Sequence, residues 1–501
     1  MFTGIKNIFT KVGAFLGIIK EIDKVSQLKK VNIDEDYFAL INKWKHLHQG
    51  YEHGIHNVVG HSIDKGSYER QLATMNMPKV VTQELATLIF NERCQINVTS
   101  DESFEELIDD IFKRNGFNGN FQQYLEFMFA QGGMAIKPFI NGDKIDLSYS
   151  TAETFLPITW SNNKIREAVF PSYSVRNGKY YTLLEWHVFN EQGLYTVRNE
   201  LYESSVKGKL GTKVNLAIMY SDLTPEVVFS ANVKDPLFVY IKPNTANNID
   251  PNNPLGISIY ANSYDALRLI DTIYDSFIRE YKLGRKRIIV SASAIKTVYN
   301  KDGNGTRYFD AKDETFEALD IDDGSQPFFQ EVDSTLRIEE HVTGLNAALD
   351  SLSTQLGFSP GTFSFTASGG LKTATEVVSE NSKTFRTKKS HENVIEQGIT
   401  DLINVIAILG DEAGFFVKPN EIEVTVQFDD SIIQDRDAQL NYEILRVNAG
   451  LQERVEALRN LDGLSEIEAM EKLVRIMKEQ RAEMPDLTNL QNLVALGGDL
   501  E

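Results

Sequence analysis

Few residues of this chain have the types and spacing to do chemistry, and most of them are histidines. His46, His48, His53, His56 and His61 share one short segment, and the chain has only eight histidines in all. Clustered imidazoles are a common way to hold a transition metal. Here, however, the spacing gives no HExxH pair, no cysteine joins the group, and no carboxylate pattern completes it. Surface and packing roles are expected, with no metal. Asp320, Asp322, Asp323 and Gly324 outline a calcium loop, yet the glycine falls one place early and the closing glutamate is missing. Gly369 and Gly370 precede a helix start, where backbone N–H groups can face a phosphate; loop flexibility explains the pair equally well. There is no GxxxxGK[ST], no GxSxG, and the single cysteine, Cys94, has no evident partner base. No catalytic residue and no cofactor is expected.

Composition sets what any site must be built from. The 501 residues suffice for several domains, and 42% hydrophobic with 10% aromatic residues gives them real cores. One cysteine excludes an internal disulfide and points to a reducing compartment. Lys plus Arg number 51 against 71 Asp plus Glu, a net charge of −20. That excludes a protein gripping nucleic acid over its whole surface, but not one that lets DNA pass. The opening stretch, MFTGIKNIFTKVGAFLGIIK, carries apolar residues at 2, 5, 9, 12, 15, 16 and 19, interrupted by Lys6, Lys11 and Lys20. It is a poor signal peptide and too short and charged to span a bilayer. It predicts an amphipathic helix packed on its own or a neighbouring subunit, with a membrane-surface helix as the alternative.

Along the chain, periodicity predicts helices over 34–49, 78–92, 102–114 and 121–130, with a strand at 95–98. From Ala135 to about Tyr240 the alternation predicts strands: AIKPFI, KIDLSYS, EAVFPSYSV, YYTLLEWHVF, GLYTVRNELYE and PLFVYIKP. A polar Pro/Asn stretch at 243–254 follows. Tyr260–Tyr281 reads as helix, with Ala266, Ile270, Ile273 and Phe277 on one face. Leu267, Leu269, Tyr274, Ile278 and Tyr281 widen that face nearly all round, which predicts burial on most sides. Residues 286–331 read as a strand-rich insert with a hairpin turn at KDGNGT and an acidic second half: Asp310, Asp313, Glu314, Glu317, Asp320, Asp322 and Asp323.

The stretch from Asp333 to Gly410 organises the rest. A helix is predicted over 335–356, its apolar residues Ile338, Val342, Leu345, Leu349, Leu352 and Leu356 spaced as in a helix packed along another. Gly357 stands at its C-terminal cap. Residues 358–372 are too rich in Gly, Ser and Thr for helix, yet carry Phe358, Phe363 and Phe365. Thr373 and Glu376 make a capping box for a helix that can run to Gly410, about 55 Å, polar and basic in its middle and apolar at its end. A strand at 421–428 is expected to return to the first domain, and helices follow from Ser431, with a loose tail from Pro485. The whole reads as an α+β chain, mostly helical.

The run SGGLKTATEVVSENSKTFRTKKSHE, Ser368 to Glu392, resembles the portal (head–tail connector) proteins of tailed double-stranded-DNA bacteriophages, in the branch common in long-tailed phages of Gram-positive hosts. The resemblance covers most of the chain in element order. It implies a wing, stem, clip and crown fold, assembled as a ring of twelve around a DNA channel. The wing would be 1–259, with the long helix and return strand 373–429. The stem helices would be 260–284 and 335–357, packing through Ile270, Ile273, Phe277, Val342, Leu345, Leu349 and Leu352. The clip would be 285–334, its acidic residues a docking face. The tunnel loop, 358–372, would bring Phe363, Ser364, Phe365, Thr366, Ser368, Gly369, Gly370 and Lys372 to the channel. The crown would be 430–485 and the tail 486–501. Implied partners are other copies, DNA passing without sequence readout, terminase, scaffold and major capsid proteins, and head–tail adaptors. No membrane is implied. The place would be one capsid vertex of the virion, and the host cytoplasm during assembly. Two other classes stay open: an enzyme with its site in 135–240, and a membrane-associated or filament-forming scaffold using the N-terminal helix.

Overall fold

In a computed structural model the protein is described over residues 34–62, 66–284, 287–291, 297–299, 305–307, 316–319, 329–332, 335–364, 381–429, 436–462 and 466–483. The N-terminal amphipathic stretch, the capping box at Thr373 and Glu376, and the tail lie outside these residues. The chain divides into two compact units, Met1–Ser368 with Lys383–Asp429, and Gly369–Ser382 with Asp430–Glu501.

The first unit opens with helix α1 (Glu35–His48). The Asp34 carboxylate accepts from the Tyr37 N–H at 3.1 Å and caps its start, acids fill its first turn, and Lys45, His46 and His48 suit its last. It buries Tyr37, Phe38, Ile41, Trp44 and Leu47. Helix α2 (Met77–Ile89) starts on Pro78, whose missing N–H costs nothing there. Strand β3 (Gln95–Thr99), helix α3 (Glu102–Arg114) and helix α4 (Phe117–Gln131) follow. Helix α4 begins four residues earlier than the periodicity predicts and contains Gly119. The stacked rings of Phe112, Phe117 and Phe121 draw the extra turn in.

Between α1 and α2 a single helical turn (His53–His56) and two strands escape the sequence pattern. The strands are β1 (Asn57–Ser62) and β2 (Gly66–Gln71), a polar antiparallel hairpin with little apolar alternation to announce it. The predicted strands form β4 (Met134–Asn141), β5 (Lys144–Thr151), β7 (Lys164–Arg176), β8 (Lys179–Phe189), β9 (Tyr195–Ser204) and β12 (Val239–Ile241). Strand β6 (Leu156–Ser161) and the short β10 (Thr212–Val214) and β11 (Glu226–Val228) were not read from sequence. One sheet runs β10-β9-β8-β7-β6, with β11 also on β9; a second runs β12-β4-β5. Where α4 ends, Gly132 (φ 89) lies so close to Gly256 that a Cβ would meet the Gly256 carbonyl oxygen at 2.4 Å, so glycine is required there.

Helix α5 (Tyr264–Leu283) starts four residues later than predicted, because residues 260–263 are turn and the Tyr260 hydroxyl donates to the Trp44 carbonyl at 2.7 Å. The insert that follows contains β13 (Arg287–Ser291), β14 (Thr297–Tyr299), β15 (Gly305–Arg307), β16 (Phe316–Leu319) and β17 (Phe329–Val332). Strands β14 and β15 pair antiparallel across KDGNGT, and β13 pairs with β16 in parallel and β17 antiparallel. Helix α6 (Ile338–Leu356) returns the chain. The long helix α7 (Ser382–Glu412) spans about 46 Å. Strand β18 (Glu423–Gln427) pairs with β3, as the returning strand was expected to rejoin the first domain. One core joins Trp44 and Phe121 to Leu349 and Leu352 and to Ile399 and Ile403.

The polar, basic middle read for the long helix needs correction. Lys388 is buried and pairs with the equally buried Glu392 at 2.5 Å, while Lys389 reaches the same carboxylate at 3.2 Å from the exposed side. His391 is buried too, and its Nδ1 accepts from the Asn244 N–H at 3.1 Å. The second unit has helices α8 (Arg436–Asn448), α9 (Arg454–Asp462) and α10 (Glu466–Glu483).

Burial alone pushes the His391 imidazole down to about 4. The unfolded chain therefore takes up a proton near pH 6.5 that the folded chain refuses until about pH 4, so stability falls as pH falls through that window. The expected loss is about 3 kcal/mol by pH 4. Urea unfolding of His391→Gln against the parent, from pH 7.5 to 4.5, should show a shallower fall for the variant; equal slopes would remove His391 as the cause.

Candidate functional site

The candidate site is the helical pair α5 and α6 with the loop that follows. Sequence periodicity picks out their shared seam. Ile270, Leu345, Leu349 and Leu352 are buried, and Ile273 and Val342 are half-buried. Phe277, also half-buried, meets the Tyr281 ring edge-on at 5.2 Å and the tilted His341 ring at 5.5 Å. The far sides of α5 stay open in the single chain: Leu269 is 50% exposed and Tyr281 47%. Burial on most sides is therefore not found within one copy.

Sequence reading missed what fixes α5. Asp271 and Asp275, one turn apart on an otherwise apolar face, are both buried. Asp271 accepts from the Met75 N–H at 2.8 Å and from the Thr74 hydroxyl at 3.1 Å, and faces His56 Nε2 at 3.0 Å. His56 Nδ1 accepts from the Glu52 N–H at 2.7 Å, which leaves the ring proton on Nε2, aimed at the carboxylate. Asp275 takes a two-pronged grip from Arg70 at 2.9 and 2.7 Å and a bond from the Ala73 N–H at 3.2 Å. Burial pushes the Asp275 carboxyl up, but Arg70 and the Ala73 amide outweigh it and leave it below its usual value. Acids at i and i+4 within an apolar stripe are the signal that could have found this.

At the other end of the pair, Arg337 donates to Glu280 at 3.1 and 2.8 Å and pulls its carboxyl down to about 2. Beyond α6 the chain is tied down. Gly357 (φ 85) caps the helix, and a Cβ there would meet Thr387 Oγ1 at 2.5 Å. Thr387 donates to the Gly357 carbonyl at 2.7 Å, and Thr384 Oγ1 accepts from the Ser359 N–H at 2.8 Å. Phe358 is buried, and Phe363 packs edge-on against it at 5.1 Å. Phe363 and Ser364 are half-buried. Of the other loop residues, Phe365, Thr366, Ser368, Gly369, Gly370 and Lys372 lie outside the described residues. So do Asp310, Asp313, Glu314, Asp320, Asp322 and Asp323; Glu317 sits in β16.

The histidine segment disperses into separate contacts. His46 faces Glu52 at 3.1 Å, His48 faces Glu126 at 2.7 Å, His56 faces Asp271, and His61 faces Ser67 at 3.1 Å; His53 is exposed. Among the described residues no group of three or more His, Cys, Asp or Glu is placed to hold a metal. In the strand-rich region, the buried His187 bridges Glu185 and the Tyr195 hydroxyl, each at 2.7 Å, and Lys137 pairs with the same glutamate. That cluster is closed inside the sheet. Among the described residues no helix is long and apolar enough to cross a membrane.

Residues 27–486 match the family described as "Phage portal protein, SPP1 Gp6-like". The chain belongs to this family of phage portal proteins. No curated protein matches it.

Asp275→Ala leaves the Arg70 guanidinium and the Ala73 N–H without their acceptor. It should cost about 2–3 kcal/mol in urea unfolding, whereas a surface change such as Glu102→Ala should cost under about 0.5. Gly357→Ala should cost more than about 1 kcal/mol, from its backbone angle and the Thr387 contact together; a neutral result would mean that Thr387 moves aside freely.

Proposed function

We propose that this chain is the subunit of a ring at one capsid vertex, through whose centre DNA enters the head and later leaves. The observation that carries the reading is the family match across 27–486, nearly the full length. The open apolar side of α5, with Leu269 half exposed, supports it, since a neighbouring copy would cover what one chain leaves bare. A net charge of −20 suits a conduit that must not hold phosphate. In this reading twelve copies close the ring. The family is structural, and the chain itself hydrolyses nothing.

The regions follow the same reading. Residues 1–259, with 373–429, form the wing; α5 and α6 form the stem, packed through Ile270, Ile273, Phe277, Val342, Leu345, Leu349 and Leu352. Residues 285–334 form the clip, whose acids Asp310 to Asp323 offer a docking face first to the terminase motor and then to adaptor proteins. Residues 430–485 form the crown. The loop from Phe363 to Lys372 lies toward the DNA, which it contacts without base readout because the whole genome must pass. Scaffold and major capsid proteins meet the ring as the head assembles in the host cytoplasm.

Electron microscopy of the purified protein, with mass measured alongside, is the direct test. Rings of about a dozen subunits with a central hole are expected, and a monomer or dimer at every salt concentration would overturn the reading. Leu269→Glu, exposed in the single chain, should prevent ring closure while leaving the melting temperature within about 2 °C.

A further inference from the structure

Helix α3 and the turn after α7 enclose an open groove of about 550 Å³. One wall is the α3 stripe Ser103, Leu107, Asp110 and Arg114, residues spaced to share a helix face. The other wall is Phe415, Phe416 and Val417. Phe416 turns inward, its ring 5.6 Å from that of Phe104 and against Gly410. Phe415 and Val417 turn outward. Val417 is 85% exposed, the highest value among the large exposed hydrophobic residues of the described chain, and Phe415 is 41% exposed. The exposed side of α3 is acidic, with Glu102, Glu106, Asp109 and Asp110. Arg114 pairs with Asp110 at 2.5 Å and with Asp146 at 3.5 Å, and Lys113 lies 3.8 Å from Asp109, so Glu102 and Glu106 are the acids of this side that no cation of α3 offsets.

The sequence supplies a segment with the opposite properties. Phe2, Ile5, Phe9, Val12, Leu16 and Ile19 alternate spacings of three and four, the pattern of a helix with one apolar seam. Lys6, Lys11 and Lys20 accompany it, and residues 1–20 contain no Asp or Glu. Such a helix would be about 27 Å long, against about 20 Å for α3. A seam of this kind needs a partner surface. From Lys20 to Asp34 the chain can reach about 45 Å when extended.

We propose that residues 2–20 of this chain form a helix whose apolar seam lies on Leu107, Phe415 and Val417 and whose lysines meet the acidic side of α3. The docking is independent of ring formation. It assigns the N-terminal segment a place on the protein rather than on a membrane surface.

Hydrogen exchange of the full chain, compared with a chain lacking residues 1–26, tests this. Removal should raise exchange at least tenfold in peptides covering Ser103–Ile111 and Phe415–Pro419, and Val417→Asp in the full chain should do the same without lowering the melting temperature. A labelled peptide of residues 1–22 should bind the shortened chain saturably, and at least tenfold more weakly when Val417 is Asp. Unchanged exchange on removal of 1–26 would overturn the proposal. So would flotation with anionic vesicles that depends on residues 1–26 while exchange at the groove stays the same. Whether the protein forms rings is read separately by mass, so loss of the ring reading leaves these outcomes interpretable.

Discussion

Two buried carboxylates on one helix constrain this fold more than any other contact. An ionised carboxyl taken out of water is tolerated only when its oxygens find donors. Asp271 and Asp275 find theirs on the stretch from His56 to Met75, which supplies an imidazole, a guanidinium, a hydroxyl and two backbone N–H groups. That demand explains why a polar stretch between two apolar helices is ordered at all. Hairpin β1–β2 has little to bury; it holds Arg70 where Asp275 needs it. Further along the helical pair, Glu280 binds Arg337 and lies 3.8 Å from His341, whose ring is 5.5 Å from that of Phe277. The pair is therefore tied to the rest of the unit by buried carboxylates and to itself by ion pairs and ring contacts.

What the sequence made legible was apolar spacing. The seam of Leu345, Leu349 and Leu352, the glycine cap at 357, the sheet strands and the returning strand β18 all follow from periodicity and cap chemistry. What it hid was polar burial. Asp271, Asp275, Lys388, Glu392 and His391 look like solvated residues in a linear reading, because a charge declares its burial only through partners far along the chain. Asp271 is some two hundred residues from Met75, and His391 meets Asn244 from a separate element. Helix boundaries slipped for the same reason. Tyr260 is apolar enough to extend α5 backward, yet its hydroxyl is committed to the Trp44 carbonyl. The short strands β10 and β11 hold too few residues for any period to show.

The candidate loop shows the same division. Its first residues could be placed because Gly357 has to adopt a left-handed angle and Phe358 has to be buried. The hydroxyl pair Thr384 and Thr387, which ties this stretch to the long helix, was unreadable as such, since threonines within a helix ordinarily turn back on their own backbone. Here each reaches across to the incoming chain instead.

That tie bears on how a loop at this position can work. Phe363 rests on Phe358, whose neighbours Gly357 and Ser359 are bonded to α7. Displacement of Phe363 is thus resisted by an aromatic contact, worth about 1 kcal/mol, and displacement of residues 357–359 by two hydrogen bonds and the Gly357 cap. The end of α6 and the first turns of α7 are therefore held to one another through residues 357–359. The same core joins both helices at Leu349, Leu352, Ile399 and Ile403, so the cap and the two helices it links rest on one packed interior.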